Sequence, residues 1–105
     1  MSSIDVGALD EMQPGTARRV EVGKVVIALV RIDDDVYAIG DRCTHADISL
    51  SEGEVDPAAR TLECWKHGST FSLVDGHPQA MPATRAVPVY TAGVTEGRVW
   101  VEVEA

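Results

Sequence analysis

Short runs of Val, Ile and Thr, punctuated by Gly, Pro and Asp, recur along this chain, and helical periodicity is hard to find. That texture predicts an all-β domain. The segment Arg19-Val-Glu-Val-Gly-Lys-Val-Val-Ile-Ala-Leu-Val-Arg31 shows it most clearly: one alternating strand, a break at Gly23, then a strand apolar on both faces, as a central strand would be. Asp33-Asp34-Asp35 supplies a turn, and Val36-Tyr-Ala-Ile39 returns as the hairpin partner. Near the C-terminus, Val89 to Val94 and Arg98 to Val103 flank the turn residues Thr95-Glu96-Gly97, and the two ends of the chain are expected to share a sheet. With 105 residues there is room for one domain only, and a core this small can need help from a metal or cluster.

The middle has a different texture. From Asp41 to Arg85 the chain carries all three histidines, both cysteines and three of the five prolines. Its β-like pieces are short, such as Gly53 to Asp56 and Thr61 to Glu63 around the turn Pro57-Ala58-Ala59. A long irregular stretch inside a compact domain is functional or disordered. Interleaved Ile48, Leu50, Leu62, Trp65 and Phe71 argue against disorder.

Charge and cysteine count exclude several classes. Nine Lys and Arg against seventeen Asp and Glu leave a formal charge of -8, which argues against nucleic acid and for cationic partners. Two cysteines are too few for a disulfide scaffold. The first residues lack a basic region, an apolar run and a cleavage site, and the longest apolar run, Val25 to Val30, is far short of the roughly 20 residues a membrane span needs. A soluble, cytoplasmic protein is expected.

Within the middle stand Cys43-Thr44-His45 and, after an interval of eighteen residues, Cys64-Trp65-Lys66-His67. Each half offers one soft thiolate and one imidazole, and four such ligands suit zinc or a two-iron cluster. A zinc finger pairs Cys with Cys and His with His along the chain, whereas here the pairs are mixed. If the loops approach as antiparallel arms, the two cysteines can meet on one iron and the two histidines on the other.

These boxes, with Gly68-Ser69 and Phe71 following, resemble the cluster-binding boxes of Rieske [2Fe-2S] proteins, and residues 43 to 53 resemble the ferredoxin components of bacterial ring-hydroxylating dioxygenases. The likeness covers nearly the whole chain. It implies a Rieske-type fold: antiparallel sheets forming a sandwich- or barrel-like base, one domain over 1–105, and an inserted cluster-binding subdomain of two loops at about 41–85. It implies Cys43, His45, Cys64 and His67 as ligands of one cluster. Around them would stand Ser69, Gly68, Phe71, Trp65, Met81 and Pro82, the last two in a proline loop covering the cluster's third side. The interval between boxes is slightly long for the family, and the extra length is placed in the turn at 56–60, away from the iron.

Two neutral imidazoles in place of two thiolates make reduction easier, which sets Rieske centres at roughly -150 to +300 mV against about -400 mV for plant-type ferredoxins. High-potential members carry a serine two residues after the second histidine and a tyrosine two further on. Here those positions are Ser69 and Phe71, and the extra cysteine of each high-potential box is missing. A low to intermediate potential follows, which replacing Ser69 by Ala should lower.

The implied function is a one-electron carrier with no independent catalytic site: no nucleophile with a base, no phosphate loop and no 2-His-1-carboxylate site stands in the sequence. Electrons would pass from a flavoprotein ferredoxin reductase to a terminal non-haem iron oxygenase. The alternatives are a small Rieske subunit of a nitrite-reductase-like or other redox complex, including a carrier associated with cluster assembly, and a zinc module. Trp65 is read either as a partner contact or as packing across its own loop, Lys66 as a solvated charge, and His77 as a surface residue. A monomer is expected.

Overall fold

The computed structural model describes residues 2–42, 49–65, 68–79 and 86–103. Six strands form an antiparallel sheet: β1 (Ser2–Ala8), β2 (Thr16–Val22), β3 (Val25–Ile32), β4 (Asp35–Gly40), β8 (Val89–Thr95) and β9 (Arg98–Val103), in the order β1-β9-β8-β4-β3-β2. Three short strands form a second sheet: β5 (Glu54–Asp56), β6 (Thr61–Glu63) and β7 (Thr70–Ser72). The all-β expectation holds, and so do the hairpin around Asp33 and the sharing of one sheet by the two ends through β4 and β8.

Alternation along β3 and β4 builds two cores at once. Ile27, Leu29, Val36 and Ala38 face a cluster completed by Val99, Val101 and Val103 of β9, with Ile4 of β1 and Val20 of β2 packed against it. Strands β2 and β9 are not neighbours in the sheet, so the sheet curls to enclose this cluster. Ala28, Val30, Ile32 and Ile39 point the other way, onto Leu50, Leu62, Cys64, Phe71, Leu73 and Val87. The small sheet is thereby seated on the outer face of the large one. This is why β3 reads as apolar on both faces: it is buried on both.

Strand β1 was not evident from the sequence pattern. Its alternation is interrupted at a bulge between Asp5 and Gly7, where Gly7 takes φ 130° and the Asp5 carboxylate accepts the Gly7 N–H at 3.0 Å. The link from β1 to β2 is tied to β3 by Arg31, whose guanidinium donates to the carbonyls of Leu9 and Met12 at 3.1 and 2.7 Å.

Candidate metal centre

One row across the small sheet organises the site. Glu54 pairs with Glu63, Glu63 with Thr70, and the Gln79 N–H donates to the Thr70 carbonyl at 2.6 Å. From this row the chain runs out in three places: back from Gly53 through Leu50 and Ser49 towards 43–48, on from Cys64 into 66–67 and back at Gly68, and from Gln79 into 80–85. The turn at 57–60 closes the opposite end of β5 and β6, with the Asp56 carboxylate accepting the N–H groups of Ala58 and Ala59. This turn thus lies at the far end of β6 from Cys64.

Each excursion has a closed foot. Arg42 and Ser49 pair across an antiparallel bridge below the first. At the second, the Cys64 N–H donates to Ser69 O at 2.6 Å and the Gly68 N–H to Cys64 O at 3.0 Å, a turn that Gly68 makes at φ 77°. At the third, the Val87 N–H donates to Gly76 O at 2.9 Å, and Phe71 and Pro78 form a bridge. Asp75, in the turn before this foot, has its carboxyl held below the ordinary range by the His77 N–H, which it accepts at 2.9 Å, and by Ser72.

Cys64 is fully buried and has no disulfide partner among the described residues. Ser69 is equally buried, and Phe71 is a fully buried core residue rather than a polar neighbour. Trp65, by contrast, is 57 % exposed beside Cys64, and His77 is exposed. Cys43, His45, His67, Lys66, Met81 and Pro82 lie outside the described residues. The structure therefore brings Cys64, Gly68, Ser69 and Phe71 together, and brings the feet of the loops bearing the other expected ligands to the same end of the small sheet.

By their chemistry the two thiols and two imidazoles of Cys43, His45, Cys64 and His67 are a set that suits a two-iron cluster, and of the four Cys64 is the one among the described residues. Among the described residues only two buried side chains are polar or charged, Asp41 and Ser69, and each lies at the foot of a loop that carries a Cys and a His. Burial of polar groups is costly unless they are partnered, so their concentration there marks a built polar region at the edge of an apolar core. Asp41 and the close approach at Gly53 escaped the sequence reading. A Cβ on Gly53 would lie 1.7 Å from the Glu63 carbonyl oxygen, a contact that only the folded arrangement reveals.

The profile described as the Rieske [2Fe-2S] domain matches residues 2–91. This chain belongs to the Rieske [2Fe-2S] family. Among its Rieske relatives is ferredoxin CarAc of Metapseudomonas resinovorans, 42 % identical over 99 residues, spanning 93 % of this chain and 91 % of that protein. One chain of the solved complex of reduced oxygenase and oxidized ferredoxin in carbazole 1,9a-dioxygenase superposes with a TM-score of 0.87 at 42 % identity, covering 94 % of this chain and all of that one. A Mycobacterium tuberculosis chain assigned as the small subunit of an NADH-dependent nitrite reductase superposes with the same TM-score at 32 % identity, over 99 % of this chain and 97 % of its own. No helix among the described residues is long and apolar enough to cross a membrane.

Proposed function

We propose that this chain is a soluble one-electron carrier, active in the cytoplasm, whose single [2Fe-2S] cluster is held by Cys43, His45, Cys64 and His67. It takes electrons from a flavoprotein ferredoxin reductase and delivers them to the Rieske centre of a terminal non-haem iron oxygenase. The observation that carries the reading is the near full-length likeness to a ferredoxin and to a chain solved in complex with an oxygenase. Bound there, the cluster supplies reversible one-electron storage at a potential set by two neutral imidazoles.

The chain's own residues do the rest. Buried Cys64 is positioned by the tight turn through Gly68, and Ser69, buried in the same turn, is placed to tune the potential. Phe71 fills the core where a tyrosine would add a second hydroxyl, which fits a low to intermediate potential. Trp65 offers an exposed aromatic surface next to the site, the kind of group that anchors transient interfaces. Met81 and Pro82 complete the cover in this reading, and one domain spans 1–105 with the cluster subdomain at about 41–85.

The test is reconstitution. With a flavoprotein reductase, NADH and a carbazole-type oxygenase, product formation should depend on the chain and fall as salt rises, since an acidic carrier is steered to cationic faces. Reduction of the chain without transfer to any ring-hydroxylating oxygenase would reject the assignment. The likeness to the nitrite reductase small subunit favours a second reading. Stable co-purification with a large nitrite-reducing subunit would select it.

A further inference from the structure

The first loop is fastened at both ends by one residue. Asp41 is 4 % exposed, and its carboxyl group accepts the Ser49 hydroxyl at Oδ2 and the Ser51 N–H at Oδ1, the latter at 2.8 Å. Its carbonyl accepts the Leu50 N–H at 2.5 Å, and its own N–H donates to Val26 O of β3 at 3.1 Å. The Ser49 and Ser51 hydroxyls lie 2.8 Å apart, and Arg19 Nε stands 3.9 Å from Oδ2. Asp41, two positions ahead of the loop, therefore grips the three residues after it and ties all of them to the large sheet. Leu50, inside that grip, is fully buried in the cluster that also holds Cys64 and Phe71, so the exit of the first loop is registered against the foot of the second.

We propose that Asp41 is a positioning residue that fixes the span of the 43–48 loop and, through it, the placement of Cys43 and His45 on the cluster. This rests on the ligand assignment above. Bonds to a carboxylate are the strong class of hydrogen bond, and they hold best where water is excluded. Holding the two ends of a chain segment together costs entropy that the closing contacts must offset, so losing those contacts releases the ends. In the assigned arrangement the loop gives one ligand to each iron, so slack in it reaches both.

The experiment compares wild type, Asp41→Ala, Asp41→Asn and Ser49→Ala as loaded proteins. Asn keeps an oxygen for the Ser51 N–H and offers an amide donor to the Ser49 oxygen, so it preserves the grip without the charge. In Asp41→Ala the cluster's visible absorbance should decay about tenfold faster, at a temperature where far-UV circular dichroism still reports an intact sheet, because a charged hydrogen-bond partner has gone. Its reduced-state EPR lines should broaden. Asp41→Asn should restore narrow lines and most of the lifetime, and Ser49→Ala should fall between. Wild-type line shape and lifetime in Asp41→Ala, or an Asn variant as impaired as Ala, overturns the proposal. If Asp41→Ala does not fold, unchanged lines in Ser49→Ala overturn it. A wild-type protein with no Rieske-type signal rejects the ligand assignment instead.

Discussion

The large and small sheets are built by different means. In the large sheet the strands run to six to eight residues, long enough for their apolar faces to set register outside the bulged β1, and two clusters form on the two faces of β3 and β4. The small sheet has strands of three residues. Too short to set register by alternation, it depends on Leu62, Phe71 and Cys64 locking onto the larger sheet, and on a backbone approach at Gly53 that admits no side chain. One region supplies a pattern that tolerates change. The other supplies close fits, and it carries the site.

The largest expected effect tests the close fit. Gly53→Ala should cost about 3 kcal/mol or more, since the new methyl would meet the fixed backbone of Glu63 at an overlap that only a shift of the strand can relieve. Gly97→Ala, in the β8–β9 turn, meets nothing within 4 Å and should cost only about 1 kcal/mol, for its positive φ of 76°. Chemical denaturation of both variants measures the gap. Equal losses would show that the small sheet is no more tightly fitted than the hairpin.

Core truncation asks whether the two regions unfold together. Phe71→Ala should destabilise by about 3–5 kcal/mol and Leu29→Ala by about 2–5 kcal/mol. Hydrogen exchange on Phe71→Ala should show protection lost first at Leu62 and Leu73, with Ile27 and Leu29 retained. Simultaneous loss at all four positions would make the sheets one cooperative unit and remove the distinction.

The smallest effect belongs to the rim of the large sheet. Arg98 donates to both Asp5 carboxylate oxygens, at 2.9 and 2.7 Å, and this bond, with the Gly7 N–H, holds the Asp5 carboxyl below its ordinary value of 3.8. A depressed folded-state value means that the contribution is complete above the unfolded value and is lost as pH falls through the folded one. Because both side chains are half exposed, Asp5→Asn should lower the melting midpoint only slightly at neutral pH, and the difference should vanish well below pH 3.8. A gap that persists in acid would assign the stabilisation to something other than this pair.

The same contrast decides what was legible in the sequence. The hairpin of β3 and β4 and the final pair β8–β9 could be read because their apolar periods are long. Strand β1 was hidden by the bulge at Gly7 and by its polar Ser3 and Asp5, and its place in the sheet is set by distant Val99 and Val101. Strand β7 is the three residues Thr-Phe-Ser, which carry no period at all. The ligand boxes stood out because Cys and His at close spacing have a chemistry of their own. Asp41 did not: an aspartate before an irregular stretch reads as an ordinary turn residue until Ser49 and Ser51 are seen returning to it.

The most direct test of the four-ligand site is nitrogen hyperfine spectroscopy on the reduced protein, grown with 15N-labelled histidine. Two strongly coupled histidine nitrogens are expected, with one removed and the cluster destabilised in each of His45→Ala and His67→Ala. A reduced centre with no histidine coupling, or a colourless protein that binds one zinc, would contradict it.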